Sequence, residues 1–268
     1  LFVSVFDHLI VHNYRTGTTY LTGDVSGSSE MTRSINPTQS REIGSQSLPI
    51  RTSSNFSSTE YIAAIDAIKE RIRRGDTYQT NLTHQIRVDL PGDFSKREVF
   101  KALRQKHPAP FAAYLERSNS TVISASPERF FRIGGSHIET SPIKGTRPRG
   151  ATAAEDRRMR NDLQTSQKDR AENTMIVDLL RNDLGRVCEY GSIGARELCS
   201  VQELPTLFHL VSTIEGELQA DKQPSDIIRA LFPCGSITGA PKISTMKVID
   251  ELEPDQRGLS MGAIGIYI

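Results

Sequence analysis

The chain has 268 residues, of which 37% are hydrophobic and 24% charged, with 33 Lys and Arg against 32 Asp and Glu. That supports one large core or two ordinary ones without disulfide or metal staples, and excludes a disordered polyelectrolyte. A net charge of +1 gives no overall field for nucleic acid or an anionic membrane, and no apolar run approaches a membrane span.

Residues 1–12 and 18–22 are apolar and β-branched around a turn at 13–17, which predicts a hairpin. The Ser-, Thr- and Gly-rich stretch 23–58 reads as a surface loop. Ser57 and Glu60 have capping-box spacing, Ile62, Ile65, Ile68 and Ile72 follow on one face, and Gly75 sits at a C′ position, so a helix is expected at 59–74. Residues 77–88 alternate apolar and polar and predict one strand. Ser95 opens a helix that ends near His107-Pro108. Strands are expected at 111–116, 120–125, 128–133 and 137–140, followed by a loop at 141–150 punctuated by Pro142, Gly145, Pro148 and Gly150. Helices at 152–162 and 167–184, strands at 194–203 and 207–218, helices at 224–232 and 241–252 and a last strand complete the pattern. Runs of strands separated by pairs of helices predict an α+β fold with mainly antiparallel sheets.

Cys188, Cys199 and Cys234 form neither a CxxC pair nor a framework, which fits a reducing compartment such as the cytoplasm, or buried thiols. The chain begins at Leu1, shows no signal-peptide pattern and stops inside an apolar run, and is expected to be an internal stretch of a longer protein.

Three constellations could carry chemistry. In Gly235 to Lys242 (GSITGAPK), Thr238 fits an N-cap and Pro241 an N1 position. The helix end and Lys242 could hold an anion, or the segment is a well-capped helix start. Asp169 and Glu172 are i, i+3 on a helix and share a face. They could contribute to a Mg²⁺ site, or form a solvated first turn. Glu128 follows a proline at a strand start, and Lys144 lies in the 141–150 loop. A desolvated lysine can be a neutral nucleophile and a desolvated carboxyl an acid, although an ordinary surface loop has the same composition. A single His209 within a strand reads as a hydrogen-bonded structural residue.

Taken in order, Gly75 to Leu82 (GDTYQTNL), Ser124 to Phe130 (SASPERF), Pro142 to Arg149 (PIKGTRPR), Asp178 to Gly185 (DLLRNDLG), His209 to Ser212 (HLVS), Gly235 to Lys242, and Arg257-Gly258 with Met261 to Gly265 resemble the chorismate-utilising enzymes. The resemblance implies the chorismate-binding, anthranilate synthase component I-like fold, with antiparallel sheets packed face to face and helices outside. It implies a catalytic domain over 57–268 and a remnant of the N-terminal region over 1–56. Lys144 in PIKGT resembles the branch that aminates chorismate at C4 on the way to 4-aminobenzoate and folate. The branch that makes anthranilate, the alternative, typically has Ala there. Gln79 stands where isochorismate and salicylate synthases place a water-activating lysine, which disfavours those activities. The resemblance further implies Glu128 as the acid for the departing 4-hydroxyl and Lys144 as the nucleophile at C2. His209, Ser236, Thr238, Gly239, Ala240 and Lys242 would bind the substrate. Glu172 with Asp169 would hold Mg²⁺, with further ligands from a later segment, so that residues 1–268 alone are expected to be inactive. Ammonia would come from a glutamine amidotransferase partner. A non-catalytic anion-binding remnant is the alternative of a different class.

Overall fold

The structure is a computed structural model that describes residues 3–13, 15–23, 51–91 and 94–267. The chain forms two compact units, Leu1–Ser47 and Leu48–Ile268. In the first, β1 (His8–Asn13) and β2 (Thr18–Gly23) form the expected antiparallel hairpin. The Asn13 carboxamide oxygen accepts from the amides of Arg15 (3.0 Å) and Thr16 (3.3 Å), and Gly17 supplies the left-handed residue of the turn at φ 67°. Most of the expected 23–58 loop lies outside the described residues.

The second unit opens with a short strand, β3 (Thr52–Ser54), where loop was expected; it pairs with β5 (Ile86–Val88). Between them, α1 (Ser58–Arg73) starts at a complete Ser57/Glu60 capping box, a feature that contributes about 1 kcal/mol. It ends in a Schellman motif: Gly75 at φ 80° donates to Ile72 O at 3.0 Å, and Asp76 donates to Arg71 O at 2.9 Å. The single strand expected over 77–88 is broken into β4 (Gln79–Thr80) and β5. Its amphipathic pattern is real, but β4 and β5 pair with different partners, so no continuous ladder forms. Ser95 caps α2 (Lys96–Lys106).

Strands β6 (Phe111–Glu116) and β7 (Thr121–Ser126) form an antiparallel pair. Next come β8 (Arg129–Gly134), β9 (His137–Ser141) and β10 (Ile143–Pro148), the last occupying the segment expected as loop. After α3 (Ala153–Thr165) and α4 (Gln167–Leu184) come β11 (Gly194–Glu203) and β12 (Leu207–Glu217). These strands make a five-stranded antiparallel sheet in the order β10-β12-β9-β8, with β11 also on β12. The α+β class with antiparallel sheets is as expected.

The core lies where α4 covers this sheet. Ile176, Leu180 and Leu184, one turn apart on α4, are buried against Ile138 of β9, Ile214 of β12 and Leu231 of α5 (Pro224–Leu231). Each such side chain contributes about 1.5–3 kcal/mol. A second cluster joins Leu163 of α3 to Cys199, Phe208 and Leu210.

Next come the single turn α6 (Gly235–Thr238), the two-residue strand β13 (Gly239–Ala240), α7 (Lys242–Leu252) and a 3₁₀ turn at Gly258–Met261. Pro241, not Thr238, is the N-cap of α7, because Gly239 and Ala240 are drawn into a ladder with β4. The last strand expected from the apolar run does not form within residues 262–267. Ile266 and Tyr267 there are exposed, and no strand pairs with them among the described residues.

The β4–β13 ladder depends on Gly239. Its φ is +141°, and a Cβ there would lie 1.9 Å from the Gln79 carbonyl oxygen. Gly239→Ala is expected to cost roughly 3 kcal/mol or more, from backbone strain and overpacking together. The urea midpoint of the full-length protein reads this directly, and an unchanged midpoint refutes it.

Candidate active site

Strand β10 carries Lys144 through a β-bulge. Ile143 pairs with Val211 and Thr146 with His209, so Lys144 and Gly145 together oppose Leu210 alone. Gly145 takes φ +81°, and a Cβ on it would sit 2.9 Å from Asp169 and Leu163. Strand β10 pairs only with β12 among the described residues, and an edge strand tolerates the prolines that made this segment read as loop.

The bulge presents the Lys144 amine, half-buried, to the α6 turn, where its Nζ donates to the Ser236 carbonyl at 2.9 Å. Burial pushes this amine below the ordinary lysine value, while the charges of Glu128 and Glu172 and the Cys234 thiol pull it back up. Glu128 lies in the two-residue link between β7 and β8, with its amide 3.3 Å from Ser126 Oγ. Burial raises its carboxyl above the usual range, opposed by Ser236, the Ile143 backbone and the Lys144 charge. Its Oε1 is buried without a hydrogen-bond partner. A carboxyl biased toward its proton therefore neighbours an amine biased toward its free base, the arrangement that acid and nucleophile roles require.

Ser236 adjoins both groups: its carbonyl accepts from Lys144, and its side chain opposes the rise at Glu128 while lying 3.2 Å from Cys234 Sγ. Sequence reasoning passed over Cys234 in this cluster; its position next to Gly235 was the available signal. Its thiol is pushed up by burial and by the Glu128 charge. All three cysteines are free.

Buried His209 places Nδ1 3.0 Å from Thr146 Oγ1, across the bulge from Lys144. Burial lowers its pKa against the pull of the Gly145 backbone, so the ring favours its neutral form and can offer a hydrogen bond rather than a charge.

Other expected site residues are engaged elsewhere. Lys242 is no free anion ligand, because its Nζ bonds Asp183 Oδ2 at 2.5 Å and the Leu231 carbonyl at 2.9 Å. Thr238 Oγ1 donates to the Cys234 carbonyl at 2.9 Å, and Gly239 and Ala240 pair with Thr80 and Gln79. Asp169, expected beside Glu172 as a second metal ligand, instead bonds Arg147 Nη2 at 3.0 Å. Glu172 keeps a loose pair with Lys168 at 3.8 Å. Among the described residues no three His, Cys, Asp or Glu side chains converge. These residues by themselves therefore do not fit a divalent cation.

A cleft of about 350 Å³ beside β4 is lined by Tyr61, Ile65, Ile68, Lys69 and residues 79–82; its walls do not include Lys144, Glu128 or His209. No helix among the described residues is long and apolar enough to cross a membrane.

The profile of the chorismate binding enzymes matches residues 3–267. Aminodeoxychorismate synthase component 1 of Bacillus subtilis is 38% identical over all of this chain and 59% of its own length. An anthranilate synthase component 1 of Haloarcula marismortui is 46% identical over 75% of this chain and 39% of its own length. The crystal structure of anthranilate synthase component I from Streptococcus pneumoniae superposes with a TM-score of 0.84 at 25% identity, over 97% of this chain and 60% of that one. This chain thus spans about half the length of the curated relatives it matches.

Proposed function

The chain belongs to the chorismate-binding enzymes, and from that membership we propose that it serves an aminodeoxychorismate synthase component 1, converting chorismate and ammonia to 4-amino-4-deoxychorismate and water. The observation that carries this reading is the half-buried Lys144 amine beside the partly desolvated Glu128 carboxyl. In it, neutral Lys144 attacks ring carbon C2 while the C4–O bond breaks and Glu128 gives its proton to the departing hydroxyl, releasing water. Ammonia then bonds to C4, the C2–N bond to Lys144 breaks with the lysine leaving as a neutral amine, and the new C4 ammonium gives up the proton that restores Glu128. The covalent step divides one difficult substitution into two easier ones. His209 donates a hydrogen bond to a substrate oxygen, and the charge of Glu172 acts on the Lys144 amine.

The component name of the Bacillus subtilis relative supports a second, separate component. In this reading it is a glutamine amidotransferase that supplies ammonia, and the setting is the cytoplasm, in keeping with three free thiols.

A second reading, anthranilate synthase component 1, is favoured by the Haloarcula and Streptococcus relatives. Full-length protein given chorismate, Mg²⁺ and ammonium separates the two. The expected product is 4-amino-4-deoxychorismate without pyruvate. Release of anthranilate with pyruvate transfers the chain to the second reading, and no turnover removes both.

A further inference from the structure

Behind Lys144 and Glu172 the core contains a polar knot that the reaction itself does not use. Ser212 of β12 and Asn173 of α4 are both fully buried. The Ser212 amide donates to the Pro142 carbonyl at 3.2 Å, two residues before Lys144. Its hydroxyl donates to Asn173 Oδ1 and accepts from the Cys199 amide at 2.9 Å. Asn173 Nδ2 in turn donates to the Leu210 carbonyl at 3.3 Å, opposite the bulge that presents Lys144. Asn173 directly follows Glu172 on α4. One turn earlier on that helix, Asp169 bonds Arg147 of β10 at 3.0 Å. Two cross-links therefore bracket Glu172 on its helix and Lys144 on its strand.

Such a knot holds buried backbone as well as side chains. Apolar side chains of the same volume would take their side-chain partners away from the Cys199 amide and the Leu210 carbonyl. Cys199, whose amide completes the knot, is the one non-glycine residue at positive φ among the described residues, at 52°. Backbone strain of this kind persists where the surroundings enforce it, and concentrates at functional sites. Apolar packing lets a helix settle over a range of shifts along a sheet, whereas directional bonds to Leu210, Ser212 and Arg147 fix one register.

We infer that Ser212 and Asn173 are positioning residues that set Glu172 on α4 against Lys144 on β10. The inference rests on the reading of Lys144 given above. Its effect is on placement: the pair touches neither substrate nor reacting atoms.

The test uses the full-length enzyme with Asn173→Leu, which keeps the volume and removes the bonds. In protein shown to be folded by circular dichroism, kcat is expected to fall about 10- to 100-fold, the scale of a misplacement near 1 Å, with the chorismate KM little changed. The rate at which 2,4,6-trinitrobenzenesulfonate labels Lys144 at one fixed pH, followed by peptide mass spectrometry, is expected to shift about threefold or more in the same variant. Should Asn173→Leu not fold, Ser212→Ala, which removes one oxygen, is read in its place with the same expectations. Wild-type kcat and labelling in a folded variant overturn the inference. So does a loss of kcat that matches the unfolded fraction. If the wild-type enzyme releases anthranilate, the functional reading fails, while the labelling comparison still decides the positioning claim.

Discussion

Lys144→Ala in the full-length protein is expected to lower formation of 4-amino-4-deoxychorismate by about three powers of ten or more, the scale on which removal of a nucleophile is felt. The amine is held by the Ser236 carbonyl at 2.9 Å, and burial keeps it below the ordinary lysine value. Among the described residues, the nearby cations are engaged elsewhere: Lys242 is bonded to Asp183, and Arg147 lies between Asp162 and Asp169. The fold should survive the change, because Lys144 is only half-buried on an edge strand and lies outside the two apolar clusters. Wild-type enzyme quenched without ammonia should carry chorismate less one water on the Lys144 peptide, and the variant should carry nothing. Normal product formation by the variant would sink the covalent route.

Glu128→Gln is expected to lower the rate by about 10²- to 10⁴-fold, as for loss of a general acid, yet to leave the folded protein more stable near neutral pH. The sign follows from burial, which raises the folded-state carboxyl above its reference value of 4.5. Below that value both folded and unfolded states hold the proton, and there is no penalty. As pH rises through the folded value, the unfolded chain gains from ionisation that the buried site resists, so stability is lost. Glutamine removes that loss. The difference in Tm between variant and parent should therefore be positive at pH 7–8 and close as pH falls below 4.5. A difference independent of pH contradicts the assignment of Glu128 as a desolvated acid.

How much of this was legible in the sequence varied with the range of the forces involved. Local signals were decisive for helices. The Ser57 box and Gly75 fixed both ends of α1, and α4 runs Gln167–Leu184, the bounds expected for it. What failed depended on distant partners. The punctuation around Lys144 marks an edge strand only once β12 lies beside it. The start of α7 moved because Gly239 and Ala240 bond to residues about 160 positions earlier. The candidate site divided in the same way. Lys144, Glu128 and Ser236 converge. Lys242 and Asp169 have the right chemistry for ligands, but are neutralised by Asp183 and Arg147, partners that side-chain type alone does not disclose.

The bulge at Lys144 and Gly145 has a consequence for how such a scaffold can change its task. Because the extra residue stands outside the regular ladder on the rim of the sheet, a different side chain at position 144 alters neither strand register nor core volume. The chemistry is thereby detachable from the architecture. One codon can retire the amine while the acid, the histidine and the folded body remain, which is how a single framework could be handed from one product to another without passing through an unfolded ancestor.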